Sequence, residues 1–253
     1  MAKKETYRGK YLTKAGAAES TEREILTPIP IEIKELFEAG KVILIDKALH
    51  WTSFDVVRKI RNRIGIKKVG HAGTLDPLAT GLLIICTGKF TKKINDYMAQ
   101  EKEYTGTITL GAVTPTYDLE STPQDVKDAA HLTAVEIHSA TKHFTGEIQQ
   151  VPPVYSAIKK DGVALYELAR RGIEVELTPR RITISAFEIT SIQLPVVHFK
   201  VVCSTGTYIR SLANDFGAAL GCGGYLSELR RTRIGALLVS DARCVDEFMM
   251  GLK

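Results

Sequence analysis

Between Gly70 and Gly81 the chain reads Gly-His-Ala-Gly-Thr-Leu-Asp-Pro-Leu-Ala-Thr-Gly, with three glycines and one proline in twelve residues. Glycine weakens helices and strands through its backbone freedom and proline removes an amide donor, so the segment predicts a shaped loop, not a regular element. Any fold the chain adopts has to present that loop, and with it His71, Thr74 and Asp76. Spacing alone leaves two uses open. The loop can cradle a phosphate, although the Lys-Ser/Thr ending of a P-loop and the spacing of a dinucleotide fingerprint are both missing. It can equally be a structural turn in which Asp76 caps whatever follows Pro77.

The sequence on either side of the loop predicts interspersed strands and helices. Lys41 to Asp46 reads as a buried strand, and a helix starts at Thr52 or Ser53 with Phe54, Val57, Ile60 and Ile64 on one face. Leu82–Cys86, Tyr104–Leu110, Arg181–Ile192 and Val196–Ser204 have strand character. Helical spacing runs over Thr133–Phe144, over Val163–Arg171 with Gly172 as its stop, and over Thr207–Leu220. No βαβ rhythm or internal repeat is present. The expectation is therefore an α+β fold with a mixed, mostly antiparallel central sheet flanked by helices. Residues 1–36 lack a sustained apolar period and are expected to form an extension before a main domain over 37–253.

Charge and cysteine usage narrow the function classes. A net charge of +5 favours polyanionic partners through phosphate contacts, but weakly. No run reaches the roughly 18 apolar residues of a membrane span, and no signal-peptide core follows Lys3 and Lys4, so a cytoplasmic protein is expected. The four cysteines, Cys86, Cys203, Cys222 and Cys244, form no CxxC pair and predict neither a zinc site nor a disulfide framework. No metal and no cofactor is expected. Lys3, Lys4, Arg8, Lys10 and Lys14 could serve as a basic arm, although four nearby glutamates dilute their charge and favour a plain tail.

The string from Gly70 to Leu83, GHAGTLDPLATGLL, closely resembles the signature of the tRNA pseudouridine-55 synthase family. Further matches run from about residue 40 to 240: Asp46-Lys47 with Thr52-Ser53, Lys102-Glu103-Tyr104, Thr114 to Asp118, Gln150 to Lys159, Leu165 to Arg170, Gly206 to Leu212 and Leu226 to Arg231. The resemblance implies an isomerase that flips uridine 55 out of the T loop of tRNA and moves its glycosidic bond from nitrogen to carbon. It implies that Asp76 is the catalytic carboxylate, that Arg210 pairs with it, and that Tyr104 stacks on the target base. By the same resemblance Tyr208 and Leu229 line the uracil pocket, His71 enters or holds the T loop, and Gly73, Thr74 and Lys47 contact substrate.

Arg58, Lys59, Arg61, Lys159, Arg170 and Arg171 are expected on the RNA backbone, where cations position a substrate without reading its sequence. Each taken singly is as well explained by a solvated charge. Many relatives carry a C-terminal PUA domain, and none is expected here. The expected partner is the T-stem loop of tRNA, with no protein partner and a monomeric state as the default. An RNA-folding protein that does not depend on catalysis is the competing reading, against which the joint presence of Asp76, Tyr104 and Arg210 argues.

Overall fold

A computed structural model describes residues 28–252. The basic side chains from Lys3 to Lys14 lie outside the described residues. The chain opens with helix α1 (Ile31–Ala39), strand β1 (Val42–Lys47), helix α2 (Ser53–Ile64), and strands β2 (Val69–His71) and β3 (Ala79–Thr87). Helix α3 (Ile94–Ala99), strand β4 (Lys102–Leu110), helix α4 (Ala134–Ala140) and strand β5 (Gly146–Gln150) follow. A small hairpin, β6 (Lys159–Lys160) and β7 (Val163–Ala164), precedes helix α5 (Leu165–Arg170) and the long pair β8 (Arg180–Gln193) and β9 (Val196–Cys203). Helix α6 (Ile209–Ala219), strands β10 (Gly224–Ile234) and β11 (Leu237–Leu238) and helix α7 (Val245–Met250) complete it.

Nine strands form one sheet with the order β1-β3-β10-β4-β9-β8-β5, to which β2 adds beside β3 and β11 beside β10. Only β10 and β3 run parallel among the described ladders, so the expected mixed, mostly antiparallel α+β architecture is the one observed. The residues explain their elements. In β1, positions alternate between half-buried and buried, which puts Ile43, Ile45 and Lys47 inward with the period of two that a strand imposes. Leu82 to Cys86 in β3 are all fully buried, as a continuous apolar run requires when both faces of a strand are covered.

Helix α2 begins where the sequence predicts. The Thr52 hydroxyl accepts from the Asp55 amide at 3.0 Å and the Asp55 carboxylate accepts from the Thr52 amide at 3.1 Å, a reciprocal cap of about 1 kcal/mol. Val56, Val57, Ile60 and Ile64 face inward, whereas Phe54 is 57% exposed with the Arg61 guanidinium 5.9 Å from its ring centre. Phe54 had been expected on the apolar face; at 3.6 residues per turn it falls roughly 100° from the centre of that face.

Other differences are local. The glycine-rich segment is not irregular throughout, because Gly70 and His71 belong to β2 and Ala79 to Gly81 belong to β3; only Ala72 to Leu78 form the loop. Helix α1 spans position 36, and its Phe37 is buried against Phe248 of α7 with ring centres 6.2 Å apart. Helices α1, α2 and α7 cover β1 and β3 through one apolar cluster. The other main cluster packs α6 on the central strands, with Phe216 edge-on to Phe187 at 5.2 Å.

Candidate active site

The loop between β2 and β3 is pinned from two sides. From α2, the Ser53 hydroxyl donates to the Leu75 carbonyl at 3.1 Å and accepts from the Leu75 amide at 2.9 Å. From β10, the fully buried Arg231 donates through Nε to the Leu82 carbonyl at 2.7 Å, through Nη2 to Gly73 at 3.2 Å and through Nη1 to Thr74 at 3.4 Å. Strands β3 and β10 approach so closely that a Cβ at Gly81 would lie 2.3 Å from the Arg231 carbonyl oxygen. Gly81 also has φ of +104°, so both sterics and backbone conformation demand glycine there.

Asp76 sits on this loop with its side chain 39% exposed, and its Oδ2 accepts from Arg210 Nε at 2.9 Å. Arg210 stands in the first turn of α6. The turn is anchored at Tyr208, whose amide donates to Gln150 Oε1 at 2.8 Å and whose carbonyl accepts from Gln150 Nε2 at 3.0 Å. A guanidinium can hold a carboxylate through two parallel bonds. Instead a single bond is made, because Nη1 donates to the carbonyls of Thr116 at 3.2 Å and Tyr155 at 3.0 Å. A second carboxylate, buried Asp118, places Oδ2 3.6 Å from the same Nε. Three hydrogen-bond acceptors and the nearby Asp118 carboxylate thus hold the Arg210 guanidinium beside Asp76 in one orientation.

These groups open on a cleft of about 660 Å³, a volume suited to a nucleotide. Gly73, Thr74, Asp76, Tyr104, Arg170, Tyr208, Arg210 and Leu229, all predicted as site residues, line it together. The Tyr104 ring lies in β4 opposite Arg231 in the strand register. Burial pushes its phenol above the usual tyrosine range, Arg231 opposing, so the ring meets a ligand protonated. Tyr208 is likewise shifted upward by burial. Leu229 pairs with Ala79 across the parallel β10–β3 contact, which sets an aliphatic wall beside the Asp76 loop.

The remaining predicted residues lie elsewhere. Lys47, expected to touch substrate, is fully buried; its Nζ donates to the carbonyls of Ala48 at 3.0 Å and Trp51 at 2.7 Å, so the amine is taken up by backbone and is not presented to a substrate. Burial pulls its pKa down to about 8, with Asp76 opposing and Arg231 assisting. His71 is half-buried on β2 beside the loop, and burial lowers its pKa, so the imidazole is neutral at pH 7. Arg58 lies on the outer face of α2, paired with Asp55 at 2.7 Å, and neighbouring Lys59 is paired with Asp246 at 2.6 Å. Lys159 is exposed on the β6–β7 hairpin and lines a separate groove with Lys160 and Arg180.

Sequence reasoning had quoted Asp118 and Arg231 inside matching segments without giving either a role. Their one legible signal was a charge where a packed segment or strand leaves little water. Lys102, also unassigned, lines the cleft with Nζ bonded to the carbonyls of Met98 and Gln100, and burial brings its pKa down to about 8, with Arg231 adding to the effect. Among the described residues no group of three His, Cys, Asp or Glu side chains could hold a metal ion.

Comparison with known proteins gives the same answer as the geometry. Residues 61–209 match the N-terminal domain of the TruB family pseudouridylate synthases, and residues 210–248 match the tRNA pseudouridylate synthase B C-terminal domain. The chain is 55% identical to the tRNA pseudouridine synthase B of Flavobacterium johnsoniae over 215 residues, which are 82% of this chain and 94% of that protein. It is 51% identical to the enzyme of the same name from Chloroherpeton thalassium over 215 residues, covering 83% and 89% of the two chains. A chain in the crystal structure of a Cbf5-Nop10-Gar1 complex superposes with a TM-score of 0.67 at 30% identity; the match covers 87% of this chain and 56% of that one. The fold and these matches are those of a pseudouridine synthase. Within that class, the chain belongs to the TruB family.

Proposed function

We propose that the protein converts uridine 55 in the T loop of tRNA to pseudouridine, with Asp76 as the essential carboxylate. The observation that carries this reading is the Asp76–Arg210 contact of 2.9 Å on the wall of a nucleotide-sized cleft. Extracting a base from a folded loop costs a few kcal/mol, which contacts around the flipped nucleotide offset. Tyr104 supplies a flat face for the uracil, and Leu229 and Tyr208 close the pocket around it. The bond between C1′ and N1 breaks, the base turns within the pocket, and C1′ joins C5. The proton on C5 leaves and one is gained at N1, so the reaction is an isomerisation without oxidant, reductant or energy source.

Asp76 faces the electron-poor sugar carbon, and Arg210 keeps its carboxylate oriented while an anionic RNA occupies the cleft. Arg170 on the rim, together with Arg58 and Lys159 further out, contacts phosphates. We take the protein to act as a monomer, and a tRNA substrate supports a cytoplasmic location.

The test uses a T-arm stem-loop carrying tritium at C5 of its uridines. The parent protein releases tritium to water, and Asp76→Asn releases none above background while retaining RNA affinity. Tritium release by Asp76→Asn at the parental rate would remove Asp76 from the mechanism.

A further inference from the structure

A second groove, of about 520 Å³, lies behind the catalytic loop, and the reaction makes no use of it. Its floor is the polar side of β4, β9 and β10, carrying Thr107, His198 and Glu228, and its apolar walls include Leu49 and Leu78. Leu78 stands two positions after Asp76, and Leu229 borders both this groove and the cleft. Only the thickness of the loop and of β10 separates the two spaces.

The hydrogen bonds fix what the groove can accept. Buried Thr107 donates its hydroxyl proton to Glu228 Oε2 at 3.3 Å, since an ionised carboxylate can only accept. The Thr107 oxygen, 3.3 Å from His198 Nδ1, is then placed to accept from that nitrogen. Arg230, the cation of the groove, is neutralised by two bonds to Asp46 at 2.6 and 3.0 Å. Among the described residues Glu228 has no ion-pair partner. The groove therefore rejects phosphate and presents acceptors to a ligand with N–H donors, between aliphatic walls that suit a flat ring.

We propose that this groove is a second nucleobase site, taking an amino-bearing base, guanine above all, from the same RNA whose uridine enters the cleft. Guanine offers a ring N–H and an amino group side by side, which matches the two oxygens of a carboxylate. The proposal rests on the RNA-modifying reading above and adds a specificity determinant to it. Extrusion of a neighbouring base into the groove would hold the loop open while uridine occupies the catalytic cleft.

The test compares the parent protein with Glu228→Gln, which keeps the side-chain shape and an acceptor for Thr107. Stem-loop substrates carry, one position at a time, the deamino analogue of each amino-bearing loop base, inosine for guanine. Loss of a hydrogen bond to a charged group raises KM at least about tenfold. For the parent, one analogue position shows that rise. For Glu228→Gln, the unaltered substrate shows it, and the analogue at that position causes no further change. Equal KM values for the two proteins, or an undiminished analogue effect in Glu228→Gln, would overturn the proposal. Turnover of the unaltered stem-loop by the parent protein tests the pseudouridine reading separately. If no tritium is released, fluorescence anisotropy with the same stem-loops still measures the groove.

Discussion

Replacing Arg210 by methionine separates what the guanidinium does for the fold from what it does for Asp76. The substitution keeps much of the side-chain volume but removes the donors that serve Asp76, the carbonyls of Thr116 and Tyr155, and the Asp118 carboxylate. The two backbone bonds are worth about 2 kcal/mol together at any pH. The Asp76 contact adds little to stability, because its carboxylate is 39% exposed and water screens it. Asp118 is the costly partner: its side chain is 6% exposed, and burial already raises its pKa, opposed by Thr116, the Glu120 amide and Arg210. Losing a buried ion-pair partner typically costs about 3–5 kcal/mol in all, so the variant should lose about 4 kcal/mol near neutral pH.

The sign of the pH dependence follows from that raised pKa. A carboxyl whose folded pKa lies above its unfolded value destabilises the fold as pH rises through the interval between the two. Removing Arg210 widens the interval, and each added unit costs about 1.4 kcal/mol above it and nothing below it. Urea unfolding of parent and variant at about pH 7.5 and about pH 4, near the ordinary carboxylate value, should therefore give a smaller difference at the lower pH, because there Asp118 escapes its charge by protonation. An equal loss at both pH values, or a larger one at the acidic value, would refute the assignment of Asp118 as the dependent partner. Tritium release by the variant should be lost at both.

Arg231→Met strands the carbonyls of Gly73, Thr74 and Leu82 and lets the catalytic loop drift, so kcat should fall at least about 100-fold while stem-loop affinity changes less, as single-turnover and binding measurements would show. Leu229→Ala removes an aliphatic wall of the uracil pocket and should lower kcat/KM about tenfold, measured by tritium release on the stem-loop. Thr133→Ala breaks the reciprocal cap of α4, in which the Thr133 hydroxyl oxygen accepts from the Glu136 amide at 3.3 Å. It should cost about 1 kcal/mol in urea unfolding with turnover retained, since α4 lies away from the cleft.

Much of the site was legible because its residues cluster in short matching segments. Gly73, Thr74 and Asp76 share one loop, and Tyr208 and Arg210 share one helix start. Period-two and period-3.6 patterns likewise foreshadowed β1, β4, β8, β9, α2 and α6. Strand β10 was not foreshadowed, because Ser227, Glu228, Arg230, Arg231 and Arg233 break its apolar pattern. Of these, Arg230, Arg231 and Arg233 satisfy themselves on Asp46, on loop carbonyls and on Glu101, contacts that arise only after distant segments meet. Lys47 misled for the same reason. The resemblance assigns it to substrate, and nothing local reveals that its amine ends among backbone carbonyls.

The place of β10 between β3 and β4 bears on when the site can exist. Asp76 and Arg210 are 134 residues apart, and the strand that locks the Asp76 loop through Arg231 emerges later still. Until Gly224–Ile234 has left the ribosome, the growing chain holds two half-sheets with open edges at β3 and β4 and no partner for either. Closure then joins the most distant segments in one step, so incomplete chains expose sticky edges but no working cleft. A nascent chain halted before residue 224 should accordingly lean on chaperones and leave tRNA untouched.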